Sequence, residues 1–348
     1  MGLQPSPRRQ RGVAIITALL LTTLAVTIVA SLFWMQQVQV RSMENQRLHL
    51  QTKWILRGGI DLSRLLLRQD GLDKPMYTSL LSIWNTPLEE TRLDQYVERE
   101  RVEGENYDAT LSGRMIDATS RYNLTNLSQG QQVDPAHVKI YRQLLVNLHI
   151  NPALAQKTAQ LVADGAAPGQ VPQGSAALGA PPQEGGAQTG VTGAAPLAPV
   201  QAVKRTTAPL GLTRLEDLLA IAGYTLADID KLREVAIVLP VGGTTVNVNT
   251  APAEVLAALV EGFSVSQANA LVARRKQADY RTAADFTAQL YGVPPERMPQ
   301  SDKYDVKSEW FLVRSRVRLD RAALDAESLI KRELTSPNAT TAMWVRQN

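Results

Sequence analysis

The sequence predicts an α+β fold in three parts. A long N-terminal helix crosses a membrane with its first half and packs on a small antiparallel sheet with its second, and a large all-α domain is inserted into that sheet. Three observations carry this reading. Residues 13–35 hold no charged side chain, and strand-like alternation occurs before residue 118 and again after residue 309. The stretch between is dominated by helical spacing.

A chain of 348 residues can bury more than one core, and 44% apolar against 20% charged residues is ordinary for folded protein. The net charge is +4, and three of those charges are Arg8, Arg9 and Arg11 ahead of the apolar run, so the rest carries only +1. Basicity therefore belongs to the leader and gives the body no general attraction for polyanions. There is no cysteine, which excludes disulfides, thiolate metal sites and a cysteine nucleophile. His49, His137 and His149 are the only histidines, and each reads as a helix-surface or partly buried polar residue.

The run VAIITALLLTTLAVTIVASLFWM, residues 13–35, would reach about 34 Å as a helix, enough to span a bilayer core. The leader arginines hold the N-terminus in the cytoplasm, and Trp34 suits the far interface. Arg41, Arg47 and Lys53 on the outer side weaken the bias. A cleaved secretory signal fits poorly, because the run is too long and no small-x-small site follows it. A simple signal anchor is the competing reading of this segment.

Gly12 stands directly between the basic leader and the apolar helix. Arg11-Gly12-Val13 looks like the site cut by the type IV prepilin peptidase, and Arg11-Gly12-Val13-Ala14-Ile15-Ile16 resembles the start of the K minor pseudopilins, the GspK family of type II secretion systems. The resemblance implies cleavage between Gly12 and Val13. Most pilins place Glu at the fifth mature position, which here is Thr17. In a filament that carboxylate is thought to pair with the terminal ammonium of a neighbouring subunit in an apolar core, where an unpaired charge would be expensive. Thr17 fits a subunit without that partner, as at a filament tip.

Helical spacing continues beyond the membrane. Met43, Leu50, Trp54, Leu62 and Leu65 form a stripe that includes Gly58, and the Gly58-Gly59 pair would admit close packing of another backbone or a sheet. A long helix with its second half packed on a domain is the pilin plan; two helices meeting at Gly58 is the alternative. Residues 107–117 alternate as a strand and lead into Asn123-Leu-Thr-Asn-Leu127, similar to an element of the K family. Residues 310–319 alternate clearly, Ala323–Arg332 supplies a partner strand, and Met343-Trp344-Val345 adds an edge.

Between these strands, Val138, Tyr141, Leu144, Leu145 and Leu148 mark one helix face, and a second helix runs over 155–163. Residues 166–209 are Gly-, Ala-, Pro- and Gln-rich and read as a flexible loop. Residues 210–290 turn helical again. Thr250 reads as an N-cap with Pro252 in the first turn of a helix, and another helix spans 266–276. This pair resembles a helix-hairpin-helix, or SAM-like, unit, which raises a rival function: an anchored DNA-uptake receptor. A phosphate-binding hairpin wants paired glycines, whereas the turn Leu259–Val265 offers one glycine and an acidic Glu261. Arg274, Arg275 and Lys276 read as a solvated helix end, so no nucleic acid is expected.

There is no Walker loop, HExxH or G-x-S-x-G pattern, so no enzyme is expected. Glu103, Glu105, Asp108, Asp302, Asp305 and Glu309 flank the two halves of the sheet and could hold calcium, as some family members are thought to, though a solvated charged face accounts for them as well. The chain thus divides into a leader (1–12), a transmembrane helix (13–35), a periplasmic helix with the first part of a pilin-like domain (36–118), an inserted helical domain (119–308) and closing strands (309–348). The resemblance implies a tip complex with minor pseudopilins I and J, with pseudopilin H and the major pseudopilin as further partners, in the bacterial inner membrane.

Overall fold

A computed structural model describes residues 11–93, 109–166, 211–333 and 340–347. A single helix, α1 (Arg11–Asp73), runs through both its apolar first half and its polar second half. It passes Gly58-Gly59 without a break, so two helices meeting at Gly58 is not the arrangement. Its later turns lie on a five-stranded antiparallel sheet. The strands are β1 (Leu88–Arg92), β2 (Ala109–Asp117), β9 (Trp310–Leu319), β10 (Ala322–Arg332) and β11 (Thr340–Gln347), in the order β1-β2-β9-β10-β11. β9 and β10 form a hairpin in which Leu319 pairs with Ala322, and Asp320 in the turn takes a left-handed φ of 49°.

The alternation of these strands serves two cores. On the helix side, Leu56, Ile60 and Leu67 of α1 meet Leu111, Met115, Phe311, Val313, Val317 and Ile330, closed by Trp84 set edge-on to Phe311 at 5.3 Å. On the opposite side, Leu312, Leu329 and Trp310 pack with Ala118, Ile237 and Leu239. The sheet therefore carries α1 on one face and the inserted residues on part of the other.

The structure corrects the reading of α1's stripe. Met43, Leu50, Trp54, Leu62 and Leu65 are all exposed, Trp54 by 69%. The sheet-facing side is Thr52, Leu56, Gly59, Ile60, Ser63, Leu67 and Asp70. Small and hydroxylic residues sit there because the helix must approach closely. Thr52 and Ser63 hide their hydroxyls by donating to Leu48 O and Gly59 O, at 2.7 and 2.8 Å. Gly59 is the close-approach residue, since an added Cβ would stand 3.3 Å from both methyls of Leu111, whereas Gly58 faces open space.

The chain between β2 and β9 is mostly helical, with a core of its own. In order it holds β3 (Tyr122–Asn123), β4 (Ser128–Gln129), β5 (Gln132–Val133), α2 (Pro135–Asn147), α3 (Leu154–Asp164), α4 (Leu226–Val235), β6 (Ala236–Ile237), β7 (Val246–Asn247), α5 (Ala253–Leu259), α6 (Val265–Arg275), α7 (Ala283–Thr287) and β8 (Tyr304–Asp305). The short strands pair as β3-β6 and β7-β8, both parallel, and β4-β5, antiparallel. Asp134 caps α2 by accepting from Ala136 N and His137 N. α4, α6 and α7 each open with a reciprocal box, Thr225/Asp228, Ser264/Gln267 and Thr282/Asp285. Leader residues 1–10, strand residues 107 and 108, and loop residues 167–209 lie outside the described residues.

Candidate functional site

The first half of α1 is long and apolar enough to cross a membrane, with a mean hydropathy of 2.4 in its most apolar window. Its threonines need no outside partner. Thr17, Thr22, Thr23 and Thr27 donate their hydroxyls to Ala14 O, Leu19 O, Leu20 O and Leu24 O at 2.8–3.0 Å. A hydroxyl satisfied within its own helix can enter hydrocarbon at little cost. The Gly12–Val13 bond lies in the first turn of α1, and Thr17 one turn further on.

Beyond the membrane segment, α1 has two unlike faces. One is sealed by the sheet. The other carries the exposed stripe, which continues on from the exposed apolar residues Met35, Val38 and Val40 through Met43, with Gln46 and Arg47 between Met43 and Leu50. Exposed apolar surface of this extent on a soluble face marks a contact surface.

The insertion is held to the sheet by a buried polar hub. Asp117, at the end of β2, is 2% exposed and accepts five hydrogen bonds. Its Oδ1 takes Thr119 N (2.9 Å) and Thr119 Oγ1 (2.7 Å). Its Oδ2 takes Asn247 Nδ2 (3.0 Å), Thr250 Oγ1 (2.5 Å) and Ser308 Oγ (2.5 Å). Thr250 is thus occupied here, and Pro252 stands at the N-cap position of α5, contrary to the expected Thr250 cap. A second tie is Arg332, whose guanidinium reaches Asp70 (2.8 Å), Thr78 Oγ1 (2.8 Å) and Ser308 O (3.1 Å) in a site sealed from solvent. Together these residues join helix, sheet and insertion.

Asn123 and Asn126 lock a neighbouring loop. Asn123 Nδ2 donates to Val241 O at 2.8 Å, while its Oδ1 accepts from Leu239 N at 3.0 Å. Asn126 exchanges bonds with Thr244 N and O. The motif is a clamp on residues 239–244. His137 is buried, its ring Nδ1 lies 3.1 Å from Tyr122 Oη, and its pKa falls to about 4 through burial and the nearby Lys303.

The hairpin turn between α5 and α6 does not present a phosphate cradle. Gly262 takes φ 73°, Glu261 accepts from Lys139 at 2.6 Å, and Ser264 and Gln267 bond each other's backbone amides at the start of α6. Those amides are therefore already engaged. The basic trio also differs from expectation. Arg274 and Lys276 are exposed, but Arg275 is buried and donates to Val248 O at 2.8 Å, its pKa lowered to about 10 by desolvation. Among the carboxylates weighed for calcium, Glu103, Glu105 and Asp108 lie outside the described residues. Asp302 pairs with Lys303 at 3.0 Å, and Asp305 accepts from Val306 N. Among the described residues, no group of three potential metal ligands comes together.

Comparison with known proteins agrees with this geometry. Family models described as "Type II secretion system (T2SS), protein K" match residues 120–241 and 246–307. The type II secretion system protein K of Pseudomonas aeruginosa is 30% identical over 319 residues, 90% of this chain and 86% of that protein. The protein K of Pectobacterium carotovorum subsp. carotovorum is 26% identical over 333 residues, 92% of each chain. A chain in the crystal structure of the GspK–GspI–GspJ complex from enterotoxigenic Escherichia coli superposes with a TM-score of 0.61. It is 16% identical, covering 88% of this chain and 99% of that one, and shares the fold. An N-terminal apolar helix, a pilin-like sheet and a helical insertion, together with near full-length relatives, establish that the chain belongs to the type II secretion system protein K family.

Proposed function

We propose that the chain works as a minor pseudopilin at the tip of a type II secretion pseudopilus. It is anchored in the bacterial inner membrane by α1, N-terminus in the cytoplasm and sheet and insertion in the periplasm. Prepilin peptidase cuts between Gly12 and Val13, and the mature chain assembles with minor pseudopilins I and J. The role is structural, not catalytic. The observation that carries this reading is α1 itself, one unbroken helix whose membrane half leads into an exposed apolar stripe. Partner helices leaving the bilayer beside α1 would meet that stripe directly. The fold neighbour was solved in complex with GspI and GspJ, which supports the choice of partners.

The insertion gives the role its asymmetry. It is packed on the sheet through the Asp117 hub and would obstruct another subunit stacking above it, which suits a subunit that initiates or caps a filament. The DNA-receptor reading is not favoured, since the amides of Ser264 and Gln267 are engaged in the α6 capping box and Glu261 lies in the turn.

The test is the N-terminal mass of the membrane-extracted protein with and without active prepilin peptidase. A peptidase-dependent start at Val13 is expected. A retained Met1, or cleavage beyond the apolar helix, would overturn the pseudopilin reading.

A further inference from the structure

The face of the sheet opposite α1 carries Arg314, Arg316 and Arg318 from β9, and their surroundings differ. Arg318 pairs with Glu90 and stands opposite Thr110 on β2, while Arg316 pairs with Asp325 and stands opposite Ser112. Arg314 holds Glu327 at 2.8 Å, but its opposite residue on β2 is Arg114. Glu327 in turn stands opposite Arg346 on β11. Across this row the sign of charge alternates, Arg346, Glu327, Arg314, until it meets Arg114. Like charges set directly opposite each other on a sheet are destabilising. Arg114 is exposed and has no hydrogen-bonded or ionic partner among the described residues.

Arg121 lies beside this break in the pattern. It follows the short turn after β2, at the margin where Ala118, Ile237 and Leu239 seal the insertion onto the sheet. Arg121 is only 7% exposed, yet among the described residues its side chain donates no hydrogen bond. Its one ionic partner there, Glu234, is 3.9 Å away and mostly in solvent. Burial holds its pKa below the ordinary arginine value, Glu234 opposes this, and Arg314 and Arg114 add to it, so the three guanidinium groups lie near enough to repel. Glu216 and Asp230 of the insertion are already held by Arg233. A buried guanidinium without an acceptor is costly. A carboxylate entering between Arg114 and Arg314 would continue the alternation and give Arg121 that acceptor. We propose that this break is a binding site for a carboxylate, supplied by an acidic segment of a protein partner lying across the open face of the sheet. Lipid phosphates are out of reach: Gly59 stands against Leu111, three residues before Arg114 on β2, and Gly59 is about 36 Å of helix beyond Met35. The site lies on the far side of the sheet from α1 and does not depend on the stripe.

Fluorescence anisotropy of a dye-labelled, end-capped Gly-Glu-Gly-Glu-Gly peptide, titrated with the full-length chain in neutral detergent at near-physiological salt, tests the proposal. The peptide should bind, its Gln counterpart should not, and Arg114→Gln should weaken binding roughly ten-fold. Arg114→Gln should also unfold at a urea concentration no lower than the wild type, because it relieves the facing arginines; that readout separates lost binding from lost fold. Arg114→Glu supplies the carboxylate from the chain itself, and should abolish binding and raise the urea midpoint. A peptide that fails to bind, or an affinity unchanged in Arg114→Gln, overturns the site. Inorganic phosphate that displaces the peptide at equal or lower concentration overturns a protein carboxylate as the occupant. None of these results touches cleavage before Val13 or association with I and J, so the proposed function stands or falls separately.

Discussion

Asp117→Ala tests whether the hub holds the insertion to the sheet. The carboxylate is 2% exposed and receives five donors drawn from three stretches of chain. Two donors keep an alternative after truncation: Thr250 Oγ1 lies 3.3 Å from Asn247 O, and Asn247 Nδ2 lies 2.6 Å from Ser308 Oγ. Thr119 N, Thr119 Oγ1 and the Ser308 hydroxyl lose their acceptor in a buried site. At about 1–3 kcal/mol per stranded donor, and less than additively, the loss comes to about 3–5 kcal/mol. Thr250→Val removes one donor and leaves the carboxylate with four, so it should cost only about 1–2 kcal/mol. Urea unfolding of the detergent-extracted chain, followed by tryptophan fluorescence, reads both variants. Limited proteolysis should also show faster cutting near residues 245–250 in Asp117→Ala. A loss below about 1 kcal/mol for Asp117→Ala, or a loss no larger than that of Thr250→Val, would refute the hub as a structural tie.

Other measurements separate the remaining ideas. Gly58→Ala should raise stability by about 1 kcal/mol, because the position is helical and open. Gly59→Ala should show no such gain, because its Cβ would press on Leu111 at 3.3 Å; equal gains in urea unfolding would contradict the assigned faces. His137 is held neutral in the fold with a pKa near 4, against an ordinary value of 6.5. The unfolded chain therefore binds the proton first, and the contribution, up to roughly 3 kcal/mol, is complete above pH 6.5 and lost as pH falls towards 4. His137→Gln should flatten that part of the stability profile. Trp54→Lys should leave stability within about 0.5 kcal/mol and sharply reduce co-extraction with I and J; unaltered co-extraction would count against the stripe.

Strong periodic signals were readable in the sequence, and cooperative ones were not. β2, β9 and β10 alternate because each packs one face against α1, and the uncharged run of α1 needs no context to be recognised. β1 is not legible in the sequence, because its residues LEETR are nearly all exposed and bear no apolar rhythm. The stripe is legible in the sequence, but the side it faces is not: it points to solvent, away from the sheet. Large apolar side chains usually face a core, yet here the core face alternates Leu56, Ile60 and Leu67 with Thr52, Gly59 and Ser63, the small residues falling where α1 comes closest, as at Gly59 against Leu111. Thr250 resembled a cap because Pro252 follows it, while its actual acceptor, Asp117, lies 133 residues away. Arg275 looked solvated in a basic trio, and only the folded chain brings Val248 O to it.

The energetics of the stripe explain why one contact would not suffice for assembly. Five large apolar side chains stand about half exposed along α1. Burying what remains would contribute roughly 1–2 kcal/mol each, on the order of 5–10 kcal/mol together. Association costs an estimated 4–15 kcal/mol in lost translational and rotational freedom, so the stripe alone lies near balance. Confinement to a membrane lowers that cost, because α1 and a partner helix would share one plane and one orientation before they touch. Two parallel helices can still slide and turn about each other, since an apolar stripe is non-directional. The stripe would thus supply attraction but not register, which contacts between the periplasmic heads would have to fix.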